Sequence, residues 1–86
     1  MTYWIDYGHG VREACDTLVK ARATAIRMIE GGVYGFKNVY VYASKFSTKP
    51  VGDVYVAANG RFMWVSYSSK YGATHSSLFK NGKLAR

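Results

Sequence analysis

The sequence predicts an α+β fold, with one amphipathic helix packed on one face of a mainly antiparallel sheet of three to five strands. The order is β-α-β-β-β, with room for a short C-terminal hairpin. Three observations carry this reading. Apolar residues recur at helical spacing in one stretch only, residues 10 to 30. Runs rich in β-branched and aromatic residues, several of them alternating, flank that stretch on both sides. Two Asn-Gly dipeptides, Asn59-Gly60 and Asn81-Gly82, sit between such runs, and Asn-Gly is a strong local signal for a hairpin.

"TYWIDY" (2 to 7) reads as a first strand, closed by "GHG". Val11, Ala14, Cys15, Leu18, Ala25 and Ile29 then form one apolar stripe. Glu13 falls in the expected first turn, where a helix dipole favours an acid, and Gly31-Gly32 supplies a left-handed cap. On the polar side, Glu13, Asp16 and Lys20 are spaced for weak i,i+3 and i,i+4 pairs. "KNVYVYASKF" (37 to 46) alternates as a strand, "STKPVG" connects, and "DVYVAANGRFMWVSYSS" (53 to 69) folds on itself as a hairpin. "SSKYGATHSS" (68 to 77) reads as a polar loop or a poorly ordered edge, and "SLFKNGKLAR" offers the short terminal hairpin. The chain of 86 residues, 1–86, reads as one small domain.

A two-residue turn at Asn59-Gly60 pairs Val54 with Val65, Tyr55 with Trp64 and Val56 with Met63. Alternate pairs share a face. The helix, through Leu18, Ile26 and Ile29, is then expected to cover Val39, Val41, Ala43, Val54, Val56, Met63 and Val65. Tyr40, Tyr42, Tyr55, Phe62 and Trp64 are left on the other face, with Phe46 near it. This hairpin is apolar on both sides, which a half-buried hairpin should not be.

The net charge is +7, all of it in the second half. Residues 1 to 36 carry four positive and four negative side chains, whereas residues 37 to 86 carry eight positive ones against Asp53 alone. Such asymmetry points to a polyanionic partner. Leu and Ile number three each, so the core draws on aromatics and Met, and a homodimer would bury more surface. Cys15 is the sole cysteine, which excludes an intrachain disulfide and a cysteine-based metal site. No run approaches the roughly 18 apolar residues of a spanning helix, and the N-terminus has no signal-like pattern. A cytoplasmic location without membrane contact is therefore expected.

The expected function is non-catalytic nucleic-acid binding, with RNA or DNA, single-stranded or structured, held on the aromatic face. Bases stack on aromatic rings, and Lys37, Lys45, Lys49, Arg61 and Lys70 lie at strand ends and loops where phosphates could be met. The residues match neither the paired aromatic signatures of RNA-recognition-motif domains nor the GXXG loop of KH domains. The same face would also suit a protein-interaction module or a small inhibitor of the type encoded by phages and mobile elements, engaging an acidic protein. It could instead be covered by a second copy or by the C-terminal residues.

A ribonuclease is the third reading, resting on His9 near Asp6 and His75 near Lys70 and Tyr71. In the bland reading His9 introduces the helix and His75 is a solvated loop residue. The acids are scattered singly and the glycines match no phosphate-binding loop, so no cofactor or metal is expected. Arg22 falls inside the apolar stripe. The sequence favours a side chain that runs along the sheet edge to water, with Asp6 as the alternative partner.

Overall fold

The computed structural model describes residues 1–6, 10–32, 35, 37–67 and 72–85. One helix lies on one face of a seven-stranded antiparallel sheet. The strands are β1 (Tyr3–Asp6), β2 (Arg12–Cys15), β3 (Asn38–Tyr42), β4 (Gly52–Val56), β5 (Phe62–Ser66), β6 (Thr74–Leu78) and β7 (Leu84–Ala85). The helix α1 is Leu18–Gly31. The spatial order is β2-β1-β3-β4-β5-β6-β7. Since β2 and β3 both run antiparallel to β1, they run parallel to each other, and α1 is the crossover such a pair requires.

Two expected elements change. Residues 12 to 15 form a strand rather than the first turn of the helix. Arg12 pairs with Asp6 and Ala14 with Trp4, which satisfies backbone groups that a longer helix would have satisfied internally. The helix starts instead at Thr17, whose hydroxyl accepts from the Lys20 amide at 3.1 Å. It ends at Gly32 as expected, with φ 64°. Thr74–Leu78 is β6, held between β5 and β7, so the end of the stretch expected as a loop or poorly ordered edge is an inner strand that forms the terminal hairpin with β7. Lys70 and Tyr71 lie outside the described residues.

The β4–β5 hairpin is the decisive difference. Its turn has three residues, not two. The Ala57 amide donates to Arg61 O and the Gly60 amide to Ala57 O, both at 2.9 Å, and Gly60 takes φ 82°. This is a tight turn closed by a glycine in the left-handed region, the other common hairpin loop that Asn-Gly can build. The observed register is Val54 with Trp64, Tyr55 with Met63 and Val56 with Phe62. A shift of one residue turns a whole strand over. Phe62 and Trp64 therefore face the helix, while Met63 and Val65 join Tyr55 on the other side. "FKNGK" repeats the turn of "AANGR": Phe79 N donates to Lys83 O and Gly82 N to Phe79 O, again at 2.9 Å. In both, the Asn carbonyl accepts from the amide two residues on, at 3.0 Å.

The core lies between helix and sheet and contains Ile5, Ala21, Ala25, Ile26, Val39, Val41, Val54, Trp64 and Leu78. Trp64 is 5% exposed and leans over Gly52, where an added Cβ would collide with its ring. Arg22 does not reach water along the sheet edge. It is 6% exposed, donates from Nε to Gly82 O at 2.8 Å, and holds its guanidinium 5.4 Å from the Trp64 ring centre. Burial pulls its pKa down. Gly82, with φ 88°, packs so closely on the helix that a Cβ would strike the Val19 carbonyl and the Ala23 amide.

The second Asn-Gly turn is thus docked on the helix by one buried hydrogen bond and one bare glycine. Gly82→Ala is expected to destabilise the fold by roughly 3 kcal/mol, from backbone strain together with overpacking. Arg22→Met should lower stability by about 1–3 kcal/mol by leaving the Gly82 carbonyl unpaired. Chemical denaturation measures both, and wild-type stability in Gly82→Ala would contradict this docking.

Candidate functional site

The face turned away from the helix is built by strand parity. Trp4 on β1, Tyr40 and Tyr42 on β3, Asp53 and Tyr55 on β4, Met63 and Val65 on β5, and His75 on β6 all share it. Arg12 belongs to it from β2, opposite Asp6. Tyr67 extends β5 by one further alternation, its amide donating to Val51 O at 3.0 Å. Tyr40, Tyr42 and Tyr55 occupy the face on which the sequence places them. Phe62 and Trp64 do not, for the register reason given above. Trp4, Arg12, Asp53, Tyr67 and His75 are on it and were missed. Strand alternation in "TYWID" carried the signal for Trp4, but only the pairing of β1 with β3 reveals which side is open.

The aromatic rings differ in what they touch. Arg12 lays its guanidinium 3.5 Å from the Tyr42 ring centre and donates from Nη1 to the Ser44 and Lys45 carbonyls, each at 3.0 Å. It also lies 3.6 Å from Asp6. This arginine fastens the β3–β4 connection to the sheet through Nη1. Lys45 stands 6.0 Å from the Trp4 ring centre and 5.8 Å from that of the exposed Phe46. The Trp4–Tyr42 side of the face is thus overlaid by the protein's own cations.

The other side is dressed by hydrogen bonds between side chains. Tyr55 and His75, on β4 and β6, meet across β5 with the phenol oxygen 2.8 Å from Nδ1. Val65, on β5 between them, is 5% exposed although no helix covers it. The Tyr67 hydroxyl donates to Asp53 Oδ2 at 2.9 Å. Loss of water around the phenol, followed by that bond and the negative charge of Asp53, pushes the Tyr67 pKa up to about 12. Tyr40 is 41% exposed beside this pair.

Cations ring the face at both ends of the strands. Lys45 and Lys49 are exposed in the β3–β4 connection. At the opposite end, Lys37 precedes β3, and Arg61 and Lys83 follow the two glycines of the twin turns. Arg61 and Lys83 pair with Ala57 and Phe79, both at open-face positions. None of these five forms an ion pair among the described residues, unlike Lys20 with Asp16 at 3.2 Å and Lys80 with Glu30 at 3.0 Å. Lys70 lies outside the described residues, as does His9.

Cys15 is buried between β2 and α1. Burial raises its thiol pKa, so it remains a thiol near neutral pH and is a poor nucleophile. Among the described residues there is no cluster of three metal-ligating side chains, and no helix is long and apolar enough to cross a membrane. Comparison of the chain with protein-family models, with curated proteins and with solved structures finds no match.

Tyr67 gives the site a measurable signature at high pH. Its phenol titrates near 10 when unfolded and about 12 when folded, so between those values the unfolded chain holds fewer protons and stability falls as pH rises. Tyr67→Phe should remove the latest component of the alkaline tyrosinate absorbance titration and flatten the loss of stability above pH 10. An unchanged titration in the variant would contradict the partly buried phenol–carboxylate contact.

Proposed function

We propose that this protein binds single-stranded nucleic acid on its helix-free sheet face and carries out no reaction there. The observation that supports it is the arrangement of Tyr40, Tyr55 and Tyr67 on one open face, with cations at both ends of the strands that form no ion pair among the described residues. Tyrosine suits this role because the ring stacks while the hydroxyl remains hydrogen-bonded or wet. Each base stacked on an aromatic ring contributes roughly 1–3 kcal/mol. Lys37, Arg61 and Lys83 at one end and Lys45 and Lys49 at the other are placed to meet phosphates on a strand lying across the tyrosines. A single strand is favoured over a duplex because stacking needs a base whose face is free.

The reading drops Trp64 and Phe62 as stacking residues and sets aside Tyr42, whose ring Arg12 covers, and Lys70, which lies outside the described residues. It rests instead on rings and cations that the fold leaves available. RNA and DNA present the same stacking faces and phosphates, so both belong in the test.

Fluorescence anisotropy with labelled short RNA and DNA single strands checks it. Binding should weaken log-linearly with salt. Tyr40→Ala should weaken binding about tenfold, as expected for the loss of one stacked base, and Arg61→Ala should reduce the salt slope by about 1. Trp64→Phe should leave the affinity unchanged, since that ring lies under the helix. Absence of binding at low salt, or affinity that ignores salt, would overturn the proposal.

A further inference from the structure

Asp53 is the lone acid among residues 37 to 86, and it sits in the middle of the open face. Its register partners are Tyr40 on β3 and Val65 on β5. It is 7% exposed. Oδ2 accepts from Tyr67, but Oδ1 is buried with no hydrogen-bond partner among the described residues. A buried carboxylate oxygen without a donor is strongly unfavourable. The neighbouring cations are at the strand ends, and Tyr67 is already committed to Oδ2. Oδ1 is therefore an unmet acceptor on a residue of the open face.

An acid here is adverse to a phosphate and favourable to N–H donors. A strand bound to this face would direct its phosphates to the cationic ends and a base edge to Asp53. The four bases differ on that edge. Guanine offers two adjacent donors, N1–H and the N2 amino group, which match the two oxygens of a carboxylate. Oδ2 can keep its bond to Tyr67, because a carboxylate oxygen accepts more than one. Adenine and cytosine offer one amino group beside an acceptor nitrogen. Uracil and thymine offer one N–H between two carbonyls, which a carboxylate repels.

Resting on the single-strand reading above, we propose that Asp53 reads the Watson–Crick edge of a guanine on this face. Tyr40, across the register, and Tyr67, bonded to Oδ2, flank the carboxylate, each about two-fifths exposed, and the base reaches Oδ1 by local movement of the side chains over it while the Tyr67 bond stays. Tyr40 then supplies the stacking surface and Asp53 the choice of base.

The test compares three labelled single strands on the wild-type protein by anisotropy: oligouridine, the same strand with one central guanosine, and that strand with inosine in its place. Inosine lacks the N2 amino group and keeps N1–H. The guanosine strand should bind about tenfold more tightly than oligouridine, as expected for a bidentate contact, and inosine should lose most of that gain. Asp53→Asn, checked for folding by circular dichroism, should bind guanosine and uridine strands alike. Equal affinity for the guanosine and uridine strands, a guanosine preference that inosine preserves, or one that survives in folded Asp53→Asn would overturn the guanine assignment alone. Failure to bind any strand at low salt would overturn the single-strand reading with it. The inosine arm uses unaltered protein and decides the matter even if Asp53→Asn fails to fold.

Discussion

The closure of the β4–β5 hairpin between Ala57 and Arg61 governs most of this structure. Gly60 can take its positive φ without a Cβ penalty, so the loop accommodates three residues and the strands pair one step away from a two-residue register. That step sends Trp64 and Phe62 toward the helix. Trp64 then occupies the space Gly52 leaves, and its ring provides the surface over which Arg22 is held. Arg22 in turn reaches the carbonyl of Gly82, and the second Asn-Gly turn is drawn against α1. The core, the buried arginine and the C-terminal hairpin thus follow from one turn.

The same step determines what the open face can do. With Trp64 in place there, the surface would be a broad apolar patch suited to a protein partner or a second copy. The observed pairing turns β5 over and replaces it with Met63 and Val65, beside Asp53, Tyr55, Tyr40 and Tyr67. Two side-chain hydrogen bonds, Tyr55 with His75 and Tyr67 with Asp53, order the centre of this face. Cations that make no ion pair among the described residues stay at its ends. Tyrosine rings surround a central acceptor, with positive charge at the periphery, and the proposed binding of bases inward and phosphates outward rests on that arrangement.

Much of this was legible in the residues. The alternation of Val39, Val41 and Val54 fixed which side of β3 and β4 meets the helix, and it placed Tyr40, Tyr42 and Tyr55 opposite. Gly32 ended the helix where Gly-Gly predicted. The register was harder, because Asn-Gly serves two loop lengths and local sequence does not choose between them. The doubly apolar hairpin was the available sign of error: shifting by one residue gives one side with Trp64 and Phe62 and another with Asp53. Arg12–Cys15 read as helix because Ala14, Cys15 and Leu18 share a helical stripe, and only pairing with β1 gives "REAC" a reason to be extended. Arg22 was recognisable as anomalous, but its partner is a backbone carbonyl sixty residues away, which no side-chain pattern announces.

The central claim is the face on which Trp64 lies, and proton nuclear Overhauser contacts from its indole ring test it most directly. The structure predicts contacts to Gly52 and to the Arg22 side chain, with Val54 as the direct cross-strand partner. Contacts from the indole to the rings of Tyr40 or Tyr55, with Val65 turned toward the helix, would contradict it and restore the two-residue turn.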